Sequence, residues 1–341
     1  MVSTGIESST TVSKATHGTM NAIVRHVYGS VDVVRLAEIG KPQFGDDELL
    51  VRVQAAGVDR GVWHLMTGQP YALRLAGFGV RAPKNPVLGR ELAGVVHAVG
   101  KNVTRFKPGD AVFGIGEGTF AEYARAREDK LALKPANVSF EQAAAASISA
   151  TTALQALRDH GHVQPGQNIL IIGASGGVGT FAVQLAKVFG AEVTGVCSTG
   201  KVKLVRSLGA DHVMDYTRED FAASARRYDL ILDIGGNSRV SRLRRALTAK
   251  GTLVIIGGEG GGRWLGVRRQ LWALMLSGFV GQKMGTFIAR ENYKDLIVLQ
   301  ELIESGKLRS AIDRTYRLAE AADAILRLEE GRAQGKLVIT V

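Results

Sequence analysis

Cysteine and long apolar runs are both scarce in this sequence of 341 residues. Its single cysteine, Cys197, excludes a disulfide within the chain. One free thiol is typical of a reducing compartment, so we expect a cytoplasmic protein. No run reaches the roughly 18 uninterrupted apolar residues that a membrane span needs, because arginines and glycines interrupt the longest candidate, 264–280. We therefore expect no membrane-spanning segment, and contact with a membrane surface is an unfavoured alternative.

Acidic residues are also outnumbered, since 32 Asp and Glu stand against 43 Lys and Arg, a formal net charge of +11. The excess is concentrated in residues 201–290, which contain 16 basic and 7 acidic residues. A basic region of this kind attracts nucleic acid, an anionic membrane or a phosphorylated cofactor, or is simply a solvated surface. Zinc-finger spacings and an aromatic-rich RNP-like strand are missing, so nucleic acid is not an expected partner.

The first part of the chain predicts short strands separated by turns. Residues 1–19 are polar and lack the apolar core of a secretory signal, so they are expected to be a flexible tail. From residue 20 onward helical patterns are few, and turns such as 107–110 follow at short intervals. This pattern favours a β-barrel-like module. The predicted strands are 21–26, 48–55, 94–99 and 111–113.

A second pattern, strands alternating with helices, follows an alanine-rich helical pair at 140–160. Near-continuous apolar strands between helices indicate a parallel sheet covered on both faces, the doubly wound nucleotide-binding architecture. The predicted strands are 168–172, 192–197, 212–214, 230–233, 252–256 and 283–288, and the predicted helices are 181–189, 201–208 and 238–247.

The last part of the chain predicts an amphipathic helix at 291–305 and a strand at 336–341. We expect that strand to return to the β module. The first domain would then comprise 20–146 and 291–341, with a nucleotide-binding domain of 147–290 inserted into it.

A glycine-rich turn joins the first predicted strand of the parallel sheet to a helix. It comprises Ala174, Ser175, Gly176, Gly177, Val178 and Gly179. Strand, glycine turn and helix in this order form the dinucleotide-binding fingerprint, with Ala174 in place of its first glycine. Gly176 lets the backbone approach a pyrophosphate, and Gly179 allows close packing of helix on strand. The free N–H groups of the helix start bind phosphate charge, so the turn predicts a dinucleotide cofactor.

The end of the second strand of that sheet distinguishes NADH from NADPH. An NADH site places an Asp or Glu there to bind the ribose 2′-hydroxyl, whereas residues 195–203 contain neither. They offer small hydroxyl residues together with Lys201 and Lys203, which can bind a 2′-phosphate. The alternative explanation is that both lysines are solvated surface residues of the next helix. The segment favours NADPH.

Several further segments carry a resemblance to a known family. They are 55–59 (AAGVD), 86–96 (PVLGRELAGVV), 106–112 (FKPGDAV), 118–123 (GTFAEY), 208–211 (LGAD) and the pair Asp215-Tyr216. In these segments and the glycine turn, the chain resembles the medium-chain dehydrogenase/reductase superfamily, specifically its zinc-free quinone oxidoreductase branch, over about 20–341. The resemblance implies an α/β fold: a GroES-like β-barrel catalytic domain with an inserted doubly wound (Rossmann) nucleotide-binding domain. It also implies a homodimer, through pairing of nucleotide-domain sheets near 252–256 and 283–288.

The zinc ligands of the superfamily are missing from the sequence. In the zinc-dependent branch a catalytic cysteine falls at Asp59 and a histidine at Arg90, so only Glu91 of the Gly-His-Glu motif remains. The structural lobe with four cysteines is absent as well. A zinc site needs three or four converging ligands, mostly Cys and His, so we expect no metal. Arg60 and Arg90 either orient an acceptor carbonyl or pair with Glu91.

The resemblance implies further contacts with the cofactor. Ser198, Lys201 and Tyr216 match positions that hold the adenosine 2′-phosphate and ribose. Thr152 matches a threonine near the nicotinamide, and Lys336 lies in a C-terminal strand that approaches it.

Hydride transfer to a quinone or an enone leaves a proton to be supplied by solvent or by a nearby donor. The candidate catalytic residues are Asp59, His64 and Tyr71. Asp59 stands where this branch usually has asparagine. His64 falls where zinc enzymes carry a proton-relay histidine and can titrate near neutrality, but a packing or surface histidine explains it equally well.

We expect a zinc-independent, NADPH-dependent reductase of quinones or α,β-unsaturated carbonyls, which are small electrophilic substrates. Two alternatives stay open: an alcohol dehydrogenase or enoyl-thioester reductase of the same superfamily, and a non-catalytic NADPH-sensing or RNA-binding protein. The basic and aromatic segment 259–290 predicts a lid over an apolar substrate, a packed helix, a subunit contact or a membrane-surface helix.

Overall fold

The computed structural model describes residues 18–236, 238–257 and 268–341. The strands in these ranges are β1 (Thr19–Val24), β2 (Arg35–Gly40), β3 (Glu48–Val58), β4 (Glu91–Val99), β5 (Ala111–Ile115), β6 (Tyr123–Arg127), β7 (Leu131–Leu133), β8 (Asn168–Ile172), β9 (Glu192–Cys197), β10 (His212–Asp215), β11 (Tyr228–Asp233), β12 (Leu247–Ile255), β13 (Lys283–Thr286), β14 (Ile312–Arg317) and β15 (Lys336–Thr340). The α-helices are α1 (Arg60–Thr67), α2 (Phe140–Ala144), α3 (Ser147–Gln155), α4 (Gly177–Val188), α5 (Val202–Ser207), α6 (Val240–Ala246), α7 (Arg268–Ser277), α8 (Tyr293–Glu304) and α9 (Ala321–Glu329). Short 3₁₀ or π turns lie at Val31–Val33, Arg74–Phe78, Glu128–Lys130, Ala156–His160, Thr199–Lys201 and Leu318–Glu320.

Two antiparallel arrangements make up the β-rich part of the described chain. The larger sheet has the order β14-β15-β3-β4-β5-β7, with β6 also paired to β3, and β1 pairs with β2. Only the β14–β15 pair in it is parallel. The last strand, β15, pairs antiparallel with β3, with Leu337 opposite Val58. The C-terminal segment therefore returns to the first sheet, as the sequence predicts.

The other sheet is six-stranded and entirely parallel, in the order β10-β9-β8-β11-β12-β13. Apolar side chains bury both of its faces, among them Phe181 of α4 and Leu299 of α8 in one cluster and Leu243 of α6 in another. The strand order reverses between β8 and β11, where doubly wound sheets open a crevice for a ligand. The predicted α/β fold class is confirmed.

The structure adjusts several predicted bounds. β3 continues to Val58 instead of ending at residue 55, and β13 ends at Thr286. β12 pairs with a strand on each side, so only β13 has an open edge at this end of the described sheet. Most of the predicted tail 1–19 and the first part of segment 259–290 lie outside the described residues, but Thr19 belongs to β1.

Side-chain caps fix where two helices begin. Asp59 follows β3 directly, and its Oδ1 accepts a hydrogen bond from the Val62 N–H at 3.0 Å, which starts α1. Ser139 and Gln142 form a reciprocal capping box at the start of α2. The first of these caps places Asp59 at the carboxyl end of a barrel strand, beside the crevice.

Candidate functional site

The glycine turn lies between β8 and α4, at the carboxyl edge of the parallel sheet. A Cβ on Gly179 would lie 2.1 Å from the Gly173 carbonyl oxygen, so only glycine lets α4 pack this closely. Gly176 is the N-cap residue of α4 and offers no side-chain cap. The first-turn N–H groups of the helix therefore have no side-chain acceptor from the cap and suit a phosphate.

A cavity of about 800 Å³ lies beside this turn, at the carboxyl ends of β8, β9 and β11. It is lined by Ile172, Gly173, Ser175, Val196, Cys197, Ser198, Lys201, Tyr216, Glu219, Phe221, Gly235, Ser238, Arg239 and Arg242. Four predicted cofactor residues are among them: Ser175, Ser198, Lys201 and Tyr216. Apolar walls with cations at one side suit the adenosine half of a phosphorylated dinucleotide.

Lys201 also ties this cavity to the other sheet. Its Nζ donates to the carbonyl oxygens of Gly331 and Ala333, at 3.0 and 2.8 Å. Burial lowers the pKa of the Lys201 ammonium. Since an ammonium has three donors, one is left for a ligand in the cavity. Lys203, the other predicted lysine, is exposed on α5 and does not line the cavity.

Two arginines that sequence reasoning missed, Arg239 and Arg242, line the same cavity at the start of α6. Arg242 donates to Asp220 at 2.6 Å, and its buried Nε has no hydrogen-bond partner among the described residues. An unused buried donor on a cation is what an anionic ligand would satisfy. The sequence carried no local signal for them, because only the strand order of the folded sheet brings the end of β11 beside β8.

Carboxylates lie nearer this cavity than the strand end alone suggested. Glu219, from the segment after β10, lines it. The Thr199 hydroxyl donates to Asp215, so its hydrogen is not free for a phosphate. Residues 195–203 form one local segment, and the carboxylates come to this cavity from other segments of the chain.

A second cavity, of about 340 Å³, lies on the other side of the glycine turn, between the two sheets. Its lining comprises Asp59, Arg60, Gly61, His64, Arg90, Ile115, Ile148, Ser149, Thr151, Thr152, Val178, Ile234, Ile256, Gly257, Ile288, Ala289, Arg290 and Glu291. The predicted residues Thr152 and Val178 meet the predicted residues Asp59 and His64 here. Tyr71 does not line this cavity; its ring lies 4.7 Å from the Arg74 guanidinium. The apolar lining is aliphatic, which suits a small apolar ligand.

The charges around the second cavity are largely paired. Arg90 donates to Glu291 at 2.5 Å and Lys130 to the same carboxylate at 2.9 Å. Arg90 therefore pairs with Glu291, and the predicted alternative of pairing with Glu91 is wrong. His64 contacts the Gln69 carbonyl oxygen through Nδ1 at 2.7 Å.

Glu91 and Lys336 form a buried ion pair behind this cavity. Their side chains are 0 and 1% exposed, and Lys336 Nζ donates to Glu91 Oε2 and, at 3.1 Å, to Ser149 Oγ. Glu91 Oε1 accepts from the Ile148 N–H at 2.7 Å. Burial, partly offset by Lys336, raises the pKa of Glu91 to about 7.

Glycine makes room for this pair on two sides. A Cβ on Gly57 would lie 2.2 Å from Glu91 Oε2. A Cβ on Gly177 would lie 3.1 Å from Lys336 Cδ. Lys336 therefore lies directly under the glycine turn, and its ammonium is directed to Glu91 and Ser149.

Asp59 occupies the front of the same cluster. Val58 lies opposite Leu337 in the β3–β15 register, so the next residue, Asp59, follows at the level of Lys336. Its Oδ1 caps α1, whereas its Oδ2 is buried with no hydrogen-bond partner in the described part of the chain. The negative charge of Asp59 contributes to the raised pKa of Glu91.

A further buried pair joins α7 to the carboxyl edge of the parallel sheet. Asp233, at the end of β11, is fully buried and binds Arg269, which also donates to the Ser238 and Gly257 carbonyls at 3.0 and 2.9 Å. Burial raises the pKa of Asp233. The part of segment 259–290 that the structure describes is thus anchored at the crevice.

Family models match two segments of the chain: one described as an alcohol dehydrogenase GroES-like domain over residues 45–136, and one described as a zinc-binding dehydrogenase over residues 208–339. A 2-methylene-furan-3-one reductase of Solanum lycopersicum is 34% identical over 98% of this chain and 81% of its own length. An NADPH-dependent alkenal/one oxidoreductase of Arabidopsis thaliana is 34% identical over 94% of this chain and 79% of its own. The solved quinone oxidoreductase of Coxiella burnetii superposes with a TM-score of 0.85, at 27% identity, over 95% of this chain and all of that one.

The chain belongs to the medium-chain dehydrogenase/reductase superfamily, in its zinc-free quinone oxidoreductase branch. It is an oxidoreductase that uses a nicotinamide cofactor.

At the positions that the resemblance aligns with zinc ligands, the chain has Asp59 and Arg90. Glu91, next to Arg90, binds Lys336. Among residues 18–236, 238–257 and 268–341, no group of three or more His, Cys, Asp or Glu could hold a metal ion.

Within the same ranges, no helix is both long enough and apolar enough to span a membrane.

Proposed function

We propose that this oxidoreductase transfers a hydride from NADPH directly to a quinone or an α,β-unsaturated carbonyl, without zinc. The observation that carries the proposal is the meeting of the two cavities at the glycine turn: a basic one suited to adenosine phosphate and an aliphatic one suited to a small acceptor. The names of relatives that act on quinones, alkenals and enones support it.

The residues that would hold NADPH fit its chemistry. The first turn of α4 would bind the pyrophosphate, and Ser198, Lys201 and Tyr216 would bind the ribose and 2′-phosphate, with Arg239 and Arg242 adding positive charge. Thr152 would lie beside the nicotinamide. Lys336 would support the glycine turn from beneath. When bound, NADPH supplies the hydride.

The second cavity orients the acceptor and excludes water. Its aliphatic wall would hold the carbon skeleton of the acceptor against the reacting face, because hydride transfer depends on orientation more than on any single group. The polar groups at its barrel side, Asp59, His64 and Arg60, would face the oxygen that gains charge. Tyr71 lies outside the cavity lining and is the weakest of the three predicted catalytic residues.

The test is oxidation of NADPH and of NADH by purified, chelator-treated protein, with 1,4-benzoquinone, 9,10-phenanthrenequinone and an enone as acceptors. Turnover with NADPH after chelation supports the proposal. Saturable binding of NADPH with no turnover on any acceptor contradicts it and favours a sensing or binding protein.

Two lysine variants, one a test and one its control, measure the preference for NADPH over NADH. Lys201→Met removes a cation from the cavity wall and is expected to raise the KM for NADPH about tenfold or more, with little effect on NADH. Lys203→Met removes an exposed lysine two residues away and should change neither value. Equal effects of Lys201→Met on both cofactors would contradict a role in binding the 2′-phosphate.

We further propose a homodimer in which the open edge of β13 meets a second copy, with the domains divided at 20–146, 147–290 and 291–341. The expected sedimentation mass is twice that of the chain. The cytoplasmic location stays a prediction from composition, since several relatives are named as chloroplastic or mitochondrial.

A further inference from the structure

Helix α7 presents large apolar side chains to the outside of the molecule. Leu271, Leu274 and Met275 share one face of the helix, since they lie at positions i, i+3 and i+4, and Trp272 widens that face. These four side chains are between 47 and 62% exposed. The opposite side of the helix packs on the parallel sheet through the buried Ala273. The helix therefore has an apolar face that no other part of the described chain covers.

The apolar surface continues into the turn after the helix, where Phe279 is 87% exposed. This turn is held against the end of α6 and the start of β12, because the Gln282 amide donates to the carbonyl oxygens of Arg244 and Thr248 at 3.0 and 3.2 Å. Phe279 therefore extends from a turn that is fixed to the domain. The α7 face comprises Leu271, Trp272, Leu274, Met275 and Phe279.

The segments around the α7 face contain positive charge and no negative charge. Residues 238–257 and 268–290, which form α6, β12, α7 and β13, contain nine Lys or Arg and no Asp or Glu. Arg268 on α7 and Lys283 on β13 are both exposed. Lys250 is exposed too, at the end of β12 against which the turn packs. Apolar side chains beside exposed cations are complementary to an anionic bilayer, whose head groups attract the cations while its acyl boundary accepts the apolar groups.

Two other occupants fit this face less well. A second copy placed on it would bring two basic surfaces together, and like charges across an interface oppose association. The homodimer proposed above uses the main chain of β13 and not the side chains of α7. Nucleic acid would satisfy the cations, but three of the five side chains of the face are aliphatic and offer no ring on which a base can stack.

We propose that the α7 face docks this protein on the surface of an anionic phospholipid bilayer. Trp272 and Phe279 enter the interfacial region, and Lys250, Arg268 and Lys283 face the lipid head groups. The contact is peripheral, because α7 has 10 residues, about half of what a membrane-spanning helix needs.

The docked face lies near the mouth of the second cavity. Helix α7 begins at the carboxyl edge of the parallel sheet, where Arg269 binds Asp233. Ile288 follows β13 at the same edge, lines the second cavity and is 93% exposed. A quinone dissolved in the bilayer would therefore reach the cavity of a docked protein at this edge. This consequence rests on the proposed function, whereas the docking itself does not.

The docking test uses the full chain with vesicles of phosphatidylcholine that contain about 30% phosphatidylglycerol, or with vesicles of phosphatidylcholine alone. We expect the protein to sediment with the anionic vesicles only, and to dissociate in high salt because salt screens its cations. Leu274→Gln and Phe279→Ser should each weaken binding about tenfold or more. Lys283→Gln should weaken it about fivefold.

Matched variants control for exposure and for charge. Leu36 on β2 is 48% exposed, against 47% for Leu274, so Leu36→Gln removes an equally exposed leucine elsewhere. Lys307→Gln removes an exposed lysine that follows α8. Both variants should bind vesicles as the wild type does. Quenching of tryptophan fluorescence by brominated lipid should fall in Trp272→Phe, which keeps an aromatic ring on the face.

The outcomes decide the occupant of the face. Absence of binding to anionic vesicles overturns the docking, and so does binding that survives both Leu274→Gln and Phe279→Ser. A wild type that binds RNA but no vesicles overturns it in favour of nucleic acid. A dimer that Leu274→Gln and Phe279→Ser dissociate, without vesicle binding by the wild type, overturns it in favour of a second copy.

The link to the second cavity has its own measurement, which compares a long-tailed quinone held in the anionic vesicles with 1,4-benzoquinone in water. Phe279→Ser should lower the rate on the first about tenfold and leave the rate on the second within about twofold. Unchanged rates on both overturn the supply of acceptor from the bilayer while the docking stands. A wild type that turns over neither quinone overturns the proposed function, and vesicle binding still decides the docking.

Discussion

Glu91 is a carboxylate that the fold places where no water reaches it. Its charge is balanced by Lys336 and the Ile148 N–H, and Gly57 provides the space for it. A buried ion pair is weak evidence for stability, because desolvation offsets the attraction between the charges. Because the pKa of Glu91 is about 7, the free energy of unfolding should depend on pH near neutrality.

The stability contributed by Glu91 should depend on pH with a definite sign. Burial raises its pKa from 4.5 to about 7 in the folded state, so the folded protein binds the proton more tightly than the unfolded chain. Stability is therefore highest below about pH 4.5 and is lost as pH rises through about 7, on the order of 3 kcal/mol for this group. We expect the free energy of unfolding of the wild type, relative to Glu91→Gln, to fall between about pH 5 and pH 8. A difference that stays constant or rises, measured by urea unfolding, would contradict the raised pKa.

Gly57 should be intolerant of any side chain. Gly57→Ala places a Cβ 2.2 Å from Glu91 Oε2, and overpacking of this kind costs about 1–3 kcal/mol. Gly40→Ala is the control, because a Cβ there meets nothing within 4 Å and should change stability by about 0.5 kcal/mol or less. Equal unfolding midpoints for the two variants would show that the strand ends can relax around Glu91.

At the scale of elements, the decisive contact is that of α4 with β8 across the glycine turn. Gly179 permits the approach, and the helix start then presents its N–H groups to the crevice. The turn is also held from the other sheet, since the Gly335 N–H donates to the Ser175 carbonyl oxygen at 2.8 Å. The glycine turn is thus held by contacts with both sheets.

Gly179→Ala should loosen this contact. The new Cβ would lie 2.1 Å from the Gly173 carbonyl oxygen, so α4 must move away from β8. We expect a lower melting temperature and dinucleotide binding weaker by about tenfold or more, measured by fluorescence titration. Gly200→Ala, where a Cβ meets nothing within 4 Å, should bind as the wild type does. Unchanged affinity in Gly179→Ala would mean that the turn is not the phosphate site.

At the scale of the whole molecule, the two sheets meet along the strands and turns that build the site. Lys336 and Gly335 approach the glycine turn from β15 and the residue before it, and Lys201 reaches across to carbonyl groups before β15. Each contact joins a residue of the parallel sheet region to the antiparallel one. We therefore expect substitutions at residues far from the glycine turn in the sequence to change the affinity for the cofactor.

Gly335→Ala tests this dependence. Gly335 has a φ of +95°, and its Cβ would lie 2.2 Å from the Ala311 carbonyl oxygen. We expect the N–H contact with Ser175 to be disturbed and NADPH affinity to fall about tenfold. Gly306→Ala is the matched control, since it has a φ of +70° and open space around its Cβ. If both variants lose affinity equally, backbone strain and not the contact between the sheets is responsible.

The sequence by itself determined the architecture and the cofactor turn. Apolar strands alternating with helices, and glycines at 176 and 179, are local patterns whose physical consequences hold in any context that preserves the fold. The family resemblance added positions such as Ser198 and Tyr216, which the structure brings to one cavity.

Only the tertiary structure decided how the charged groups are paired. Glu91 pairs with Lys336, 245 residues away, and Arg90 with Glu291, 201 residues away. Glu219, Arg239 and Arg242 join the adenosine cavity from segments that carry no local signal of it. Electrostatic partners depend on distance in space and on exclusion of water, and neither quantity is encoded in spacing along the chain. The pairing of Glu91 with Lys336 could therefore be found only in the folded molecule.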